Sequence, residues 1–159
     1  MNMKKRIWIA CAPVLLIGCA APYVPPTSGP TAKIQFVNDA GRNLVIAHYD
    51  QSRQCVGRRS TDVIPPGHVR EDVIRADQDI TFQYHLTNYS GGAAEEYCLV
   101  NLRFMPKAGH HYVFRTNETS KSCHWHMTAV SAGGGHSPEE LKKIPWKKGF
   151  DESSSFCNE

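Results

Sequence analysis

The stretch Ile80-Thr81-Phe82-Gln83-Tyr84-His85-Leu86-Thr87 decides the fold, because apolar and polar side chains alternate along its whole length. A period of two places successive side chains on opposite faces of a β-strand, so the four apolar residues share one face. The same alternation recurs between Cys98 and Phe104. Both stretches are therefore predicted to be strands that bury one face and expose the other.

Further strand-forming runs surround these two, and turn residues separate them. Pro65-Pro66-Gly67 and Pro106-Lys107-Ala108-Gly109 are two of the turn signals. Seven or eight short strands without a helical period between them predict an all-β domain over residues 32–132, an antiparallel β-sandwich of the immunoglobulin or transthyretin type. The further runs are Lys33–Asn38, Asn43–Asp50, Val69–Ala76, His110–Asn117 and Ser122–Val130.

The residues after 132 have a different composition. Gly133-Gly134-Gly135 is predicted to be a hinge. Ser137-Pro138-Glu139-Glu140 combines a helix N-cap, a proline at the first helical position and a capping-box glutamate, so a short helix is predicted over Glu139–Lys143. Pro145 would end that helix, and residues 146–159 are expected to form a polar tail.

The first 18 residues have the layout of a secretion signal. Lys4, Lys5 and Arg6 form a basic start, and Ile7–Ile17 is almost wholly apolar. An apolar run of this length matches the core of a signal peptide and is too short to span a bilayer. We therefore expect residues 1–18 to be removed.

Leu16-Ile17-Gly18-Cys19 closes this segment and resembles the lipobox of bacterial lipoproteins. The resemblance covers only the first twenty residues. It implies cleavage before Cys19, a diacylglyceryl group on the Cys19 sulfur and an amino terminus acylated by a fatty acid such as palmitate. Three acyl chains exceed what stable anchoring requires. Ala20 stands where an aspartate would resemble the inner-membrane retention signal, so the resemblance implies an outer-membrane location facing the periplasm.

The lipidated Cys19 and the run Ala20–Thr31 are interpreted as a tether. The run contains four prolines and shows no apolar periodicity. At about 3.1 Å per residue in a polyproline-like conformation, it would hold the domain roughly 35 Å from the lipid surface.

The net charge of the mature chain is zero. The whole chain has 18 Lys and Arg against 15 Asp and Glu, and the excess of three is Lys4, Lys5 and Arg6 in the signal. A neutral mature chain gives no evidence for nucleic acid or for an acidic partner, and no basic helix is present to indicate one. We therefore expect no nucleic-acid binding.

Four cysteines remain after Cys11 has left with the signal and Cys19 has been modified. Four cysteines in an exported domain are typical of two disulfides, and three pairings are open. A metal site is the alternative, but no two of them have the Cys-x-x-Cys spacing. The four are Cys55, Cys98, Cys123 and Cys157.

Loop lengths predict a register for the last three strands of the domain. A three-residue loop ending at Gly109 sets Phe104 opposite Tyr112, and a four-residue loop after Asn117 sets Phe114 opposite Trp125. The apolar faces of the three strands then coincide.

This register separates Cys98 from Cys123. Their strands would lie two spacings apart, about 9.6 Å, beyond the roughly 7 Å limit between the Cα atoms of a disulfide. Cys98–Cys123 is therefore the least favoured pairing. Cys55 with Cys98, and Cys123 with Cys157, are favoured, and the second bridge would hold the tail against the domain.

The histidines give the second interpretation of the function. His124-Trp125-His126 places two imidazoles on one face of a strand, and the predicted register brings His111 onto that face, diagonal to His126. Imidazoles on adjacent strands can form a zinc or copper site. Against this, Arg115 would lie opposite His124 and no carboxylate is placed to orient a ligand, so solvated histidines are the simpler interpretation. His48, His68 and His85 are scattered along the sequence and predict no site.

Signatures of catalysis are missing from the sequence. It has no Gly-x-Ser-x-Gly turn, no His-Glu-x-x-His and no phosphate-binding glycine loop. We expect no enzyme, no catalytic residue and no cofactor. The aromatic residues in loop or tail positions are the candidates for contacting a partner: Tyr89, Trp146 and Phe150.

These observations favour a lipid-anchored, non-catalytic binding or scaffold module in the periplasm, an accessory part of an envelope or secretion assembly. In its general plan of lipobox, tether and sandwich, the chain is similar to small sandwich lipoproteins such as the outer-membrane lipoprotein of the type VI secretion apparatus. That similarity is one of plan, because no motif of the mature chain carries it. A metal-binding lipoprotein that uses His111, His124 and His126 is the alternative.

Overall fold

The computed structural model describes residues 21–90, 93–119, 122–131 and 133–158, with residues 89–90, 93–97 and 119 described by their backbone only. The predicted signal and Cys19 lie outside these ranges. All regular structure within them is β-strand. The strands are β1 Ala21–Pro22, β2 Thr31–Asn38, β3 Asn43–Gln51, β4 Val56–Ser60, β5 Val69–Arg75, β6 Ile80–Ser90, β7 Ala93–Phe104, β8 His111–Thr119, β9 Ser122–Val130, β10 His136–Glu139 and β11 Lys142–Ile144. The described ranges contain no helix that is long and apolar enough to cross a membrane.

The strands form two sheets. The first sheet has the order β1-β4-β3-β6-β7-β11, and the second has the order β10-β9-β8-β2-β5. Both are mixed, because β1 runs parallel to β4 and β2 runs parallel to β8. The all-β prediction is confirmed, whereas a purely antiparallel arrangement is wrong at these two pairs. Strands that are far apart in sequence are not joined by a hairpin, so nothing in the connection forces them to be antiparallel.

Aromatic rings from both sheets meet in the core. The ring of Phe82 in the first sheet lies 5.5 Å from that of Phe36 and 5.2 Å from that of Phe114, both in the second sheet, with the rings near perpendicular. Edge-to-face contacts of this kind stabilise a core beyond the area that they bury. The inward alternation of β6 continues through Tyr84 and Leu86, which are fully buried. The two sheets therefore pack face to face.

The outer face of the first sheet is also covered, contrary to the expectation that one face of each strand is exposed. Asn101 on that face donates to the Phe156 carbonyl at 3.0 Å and accepts from Gln83 at 3.1 Å and from the Tyr49 hydroxyl at 3.0 Å. Phe156 and Cys157 of the tail complete a second buried cluster there. Hydrogen bonds to the tail satisfy polar groups that the alternation had assigned to solvent.

The segment from β7 to β8 is not a hairpin. Residues 105–110 carry the chain from the first sheet to the second, so Phe104 and Tyr112 are not cross-strand neighbours as predicted. Their rings nevertheless contact each other from opposite sheets, with centroids 5.2 Å apart. The Tyr112 hydroxyl accepts a hydrogen bond from the Lys107 amide at 2.9 Å, which fixes the crossing segment.

The register of β8 with β9 differs from the prediction by two residues. Phe114 lies opposite Met127 rather than Trp125, and the pairing extends to Thr119 with Ser122, which leaves a two-residue connection. A shift of two keeps every side chain on its predicted face, because the side-chain period of a strand is two. Phe114 and Met127 are both buried, as that face requires.

The disulfides join Cys55 to Cys157 and Cys98 to Cys123, each with Cα atoms 5.5 Å apart. The two favoured pairings are therefore wrong, and the pairing considered least favoured is present. The distance argument failed because it placed the strands of Cys98 and Cys123 in one sheet. They belong to different sheets, β7 and β9, so this bridge links the two sheets.

The predicted helix at Glu139–Lys143 is wrong. β10 extends the second sheet beside β9, and β11 extends the first sheet beside β7. Capping signals contribute about 1 kcal/mol, and a helix of five residues is far below the length that is stable in isolation. Pairing with two existing sheet edges also buries Ile144, which is 1% exposed.

Candidate functional site beside the docked segment

A cavity of about 800 Å³ lies where the N-terminal segment crosses the edge of the molecule. We call it the tether cavity. Its walls come from residues 23–26, from the end of β3 with the turn after it, and from the stretch between the end of β5 and the start of β6, together with Arg59 and Met105. Its size is within the range of small-molecule sites, and its walls are nearly evenly polar and apolar.

Residues 21–26, the docked segment, are built into the fold rather than extended into solvent. Ala21 and Pro22 form β1, which runs parallel to Arg59 and Ser60 of β4. The Tyr23 amide donates to the Ser60 carbonyl at 2.9 Å. The expectation of a free tether up to Thr31 is therefore wrong for this part of it. A strand pairing supplies partners for backbone groups that a spacer would leave to water.

Tyr23 connects the two sheets at their edges. Its amide bonds to β4 of the first sheet, and its hydroxyl donates to the Val73 carbonyl of β5 in the second sheet at 2.7 Å. Burial and the nearby Asp72 carboxylate raise the pKa of Tyr23 to about 12. The phenol is therefore a neutral donor throughout the physiological range.

A buried pair of a histidine and a carboxylate lies beneath Tyr23. His48 of β3 and Asp72 of β5 point inward from different sheets, and His48 Nε2 is 3.0 Å from Asp72 Oδ2. Arg70 Nε donates to the other carboxylate oxygen at 2.7 Å. Burial alone would raise the pKa of Asp72, but the hydrogen bonds and positive charges of His48 and Arg70 outweigh it and lower that pKa. The carboxylate stays ionised because both of its oxygens are bonded.

The ring of Tyr23 covers the imidazole. The two rings are stacked with centroids 3.9 Å apart and planes 29° apart, and His48 is 7% exposed. An imidazole that donates one nitrogen to a buried carboxylate has its orientation fixed. The His48–Asp72 pair links the two sheets, and the stacking of Tyr23 on His48 packs the docked segment against them.

The hydroxyl groups of the tether cavity belong to a separate network. Ser52 Oγ and Thr81 Oγ1 lie 2.9 Å apart, and the buried Arg103 donates to Thr81 Oγ1 at 2.8 Å. Arg103 also donates to the Ser52 and Arg53 carbonyls at 3.0 Å each. Within the described ranges neither hydroxyl is hydrogen-bonded to His48. The network holds the turn between β3 and β4 in place.

The charged side chains of the cavity are mostly paired. Arg59 donates from Nε to Asp50 at 2.8 Å, and its Nη2 also lies 2.8 Å from that carboxylate. Arg53 is 3.8 Å from Asp79. Arg75 lines the cavity and forms no ion pair within the described part of the chain. The cavity therefore carries one uncompensated positive charge at its wall.

Gly57 is required by the pair of Asp50 and Arg59. Its φ is +72°, which favours glycine, and a Cβ there would lie 2.8 Å from Asp50 Oδ2. A larger residue would displace the carboxylate that holds Arg59.

The three histidines of the predicted metal site remain apart. His111 is paired with Val130, and Arg115 with His126, so His111 and His126 lie four residues apart in register, roughly 13 Å. His124 Nε2 instead lies 2.7 Å from Ser122 Oγ, and His111 Nε2 lies 3.6 Å from Glu71. The described ranges hold no group of three or more side chains that could bind a metal ion. Metal binding itself stays an untested prediction.

The predicted partner-contact residues have different surroundings. Phe150 is 99% exposed and Trp146 is 38% exposed. The backbone of Trp146 forms a bridge with Cys157, so the disulfide to Cys55 holds this part of the tail near the domain. The side chain of Tyr89 lies outside the described residues.

The sequence patterns assign no role to the residues at the centre of this site. His48 is one of several scattered histidines, and no local pattern distinguishes Asp72. The one signal for docking is Tyr23 itself, an aromatic residue inside a proline-rich segment. Aromatic side chains bury large areas when a surface is available to them.

Comparisons with protein-family models, with curated proteins and with solved structures found no match to this chain.

Proposed function

We propose that this chain is a lipid-anchored envelope lipoprotein that works as a non-catalytic binding or scaffold module on the periplasmic side of the outer membrane. The observation that carries the proposal is the pairing of the cysteines. Cys55, Cys98, Cys123 and Cys157 bond only to one another. Two disulfides in one small domain support export to an oxidising compartment, and they leave Cys19, the last residue of the lipobox-like run, available for the lipid.

The tether cavity supports binding rather than chemistry. Its carboxylates are engaged by arginines, and its His48–Asp72 pair is covered by Tyr23. Side chains that are fixed in this way can preorganise a surface for binding a partner. We propose that the domain binds as an accessory part of an envelope or secretion assembly.

The test is labelling of cells with a radioactive fatty acid, with two matched variants. Cys19→Ser should abolish the label and release the protein from the membrane fraction. Cys11→Ser changes a cysteine inside the predicted signal and should leave both unchanged. Label that persists in Cys19→Ser would contradict the anchor. Crosslinking in intact cells, followed by purification from solubilised envelopes, should then recover a periplasmic or outer-membrane protein.

We also interpret the two packed sheets as a β-sandwich. Its relation to the immunoglobulin or transthyretin type stays a prediction, since its sheets are mixed.

A further inference from the structure

The docked segment fixes how far the domain can stand from a lipid on Cys19. Only Ala20 lies between Cys19 and Ala21, where pairing with β4 begins. The two steps between the Cα atoms of Cys19 and Ala21 span at most about 7 Å when fully extended. If Cys19 is anchored as proposed above, the edge of the domain that carries β1 lies at the membrane surface rather than far above it.

The tether cavity is at that same edge. Tyr23 and Val24 of the docked segment form part of its wall, and so does Arg59, which is paired with Ala21. A domain held by so short a link must therefore bring the cavity close to the lipid headgroups.

The surface around the cavity has the chemistry of a membrane contact. Val24 and Met105 both line it and are 64% and 56% exposed, large values for apolar side chains. Arg75 supplies the cation that has no carboxylate partner in the described ranges. Exposed apolar groups beside a free cation suit the boundary between acyl chains and anionic headgroups.

We propose that the tether cavity faces the membrane and receives the headgroup of an anionic phospholipid, with Arg75 binding its phosphate and with Val24 and Met105 in contact with the lipid surface. This inference rests on the proposed lipid anchor at Cys19. Arginine suits a phosphate because its planar guanidinium can donate two parallel hydrogen bonds.

The experiment uses the full lipidated protein, reconstituted in vesicles of phosphatidylcholine with or without phosphatidylglycerol. A benzoylphenylalanine photocrosslinker replaces Met105 in one variant and Val69 in another. Val69 is a matched control, because it is 57% exposed and lies at the opposite end of β5 from Arg75. After illumination, mass spectrometry measures the yield of phospholipid adducts.

We expect adducts at position 105, at a higher yield with phosphatidylglycerol, and few at position 69. Adding Arg75→Gln should lower the yield at 105 in phosphatidylglycerol vesicles by about fivefold, the factor expected for one basic side chain at an anionic surface. Arg115→Gln is the matched charge control. Arg115 lies on β8 of the same sheet as Arg75, exposed and paired with Asp39, but it does not line the tether cavity, so its loss should leave the adduct yield unchanged.

Several results would overturn the inference. Equal lipid adducts at 105 and 69, or none at 105, would show that the cavity does not face the membrane. A protein adduct at 105 would make this surface a protein interface. Competition by inorganic phosphate would identify a site for a free anion rather than a headgroup. Labelling of Cys19 separates the two proposals: an unlipidated Cys19 overturns both, whereas a lipidated Cys19 without adducts at 105 overturns only this one.

Discussion

The ring of Tyr23 stacks on the imidazole of His48 at a centroid distance of 3.9 Å, which joins the chain that follows the lipobox to the interior of the domain. Tyr23 belongs to the docked segment, and His48 bonds to Asp72 on the other sheet. The path from the predicted anchor into the core is therefore short and continuous.

Tyr23→Ala should destabilise the fold and release the docked segment. The substitution removes the stacked ring and the hydrogen bond to Val73, so we expect a loss of about 1–3 kcal/mol in the free energy of unfolding. Tyr23→Phe keeps the ring and should lose about 1 kcal/mol. Thermal unfolding measures the stability, and limited proteolysis measures the release of residues 21–30. Val24→Ala, in the same segment but exposed, should change stability by less than about 0.5 kcal/mol.

Asp72 should contribute stability that acid removes. Its pKa is lower in the folded chain than in the unfolded chain, where it is about 3.9, so the folded state binds fewer protons. The contribution is present above about pH 4 and is lost as the pH falls through the lowered folded pKa. Asp72→Asn should therefore destabilise the domain at neutral pH, by about 3 kcal/mol, and flatten its acid unfolding curve.

Asp62→Asn is the control for Asp72. Asp62 also lies near Arg70, at 3.4 Å, but its side chain is 99% exposed. Chemical denaturation at several pH values should show little effect of this variant. An unchanged acid slope in Asp72→Asn would show that the buried pair is not responsible.

Reduction of the disulfides should lower stability unequally. Cys55–Cys157 spans 102 residues and Cys98–Cys123 spans 25. Chain-entropy arguments give about 4.7 and about 3.5 kcal/mol for loops of these lengths. Replacing the first pair by alanines should therefore cost more than replacing the second. Peptide mapping without reduction should recover these two pairs, and a Cys55–Cys98 peptide would contradict the fold.

The alternation in the sequence was sufficient to place seven of the strands, from β2 to β9 except β4. It could not assign the strands to sheets, because a period of two fixes only the side to which each side chain points. The predicted disulfide pairing was wrong for this reason, because Cys98 and Cys123 lie in different sheets. Val56–Ser60 was missed because the five residues of β4 have no apolar alternation, and the capping signals near Ser137 were overridden by pairing with existing sheet edges.

The candidate site was less predictable than the fold. Asp72 and His48 come from different sheets, so their contact depends on a topology that local patterns do not contain. Tyr23 follows Pro22 in a segment whose composition is typical of a spacer. Its docking is a tertiary event that arises only once β4 and β5 lie close together.

The histidines of β9 should not affect the stability of the fold, with or without metal ions. His124 and His126 are exposed on the outer face, and the register keeps them away from His111. Stoichiometric Zn²⁺ or Cu²⁺ should leave the melting temperature unchanged, and alanine at both positions should shift stability by about 0.5 kcal/mol or less each. A tight one-to-one complex that this double substitution abolishes would favour the metal-binding alternative.

Mass spectrometry of the amino terminus of the mature protein, purified from membranes, tests the central claim most directly. The account predicts a chain that begins at Cys19 and carries a diacylglyceryl group on sulfur and a fatty acid on nitrogen. Peptides after Ala20 should carry no lipid. An unlipidated chain, or one that begins at any other residue, would contradict it.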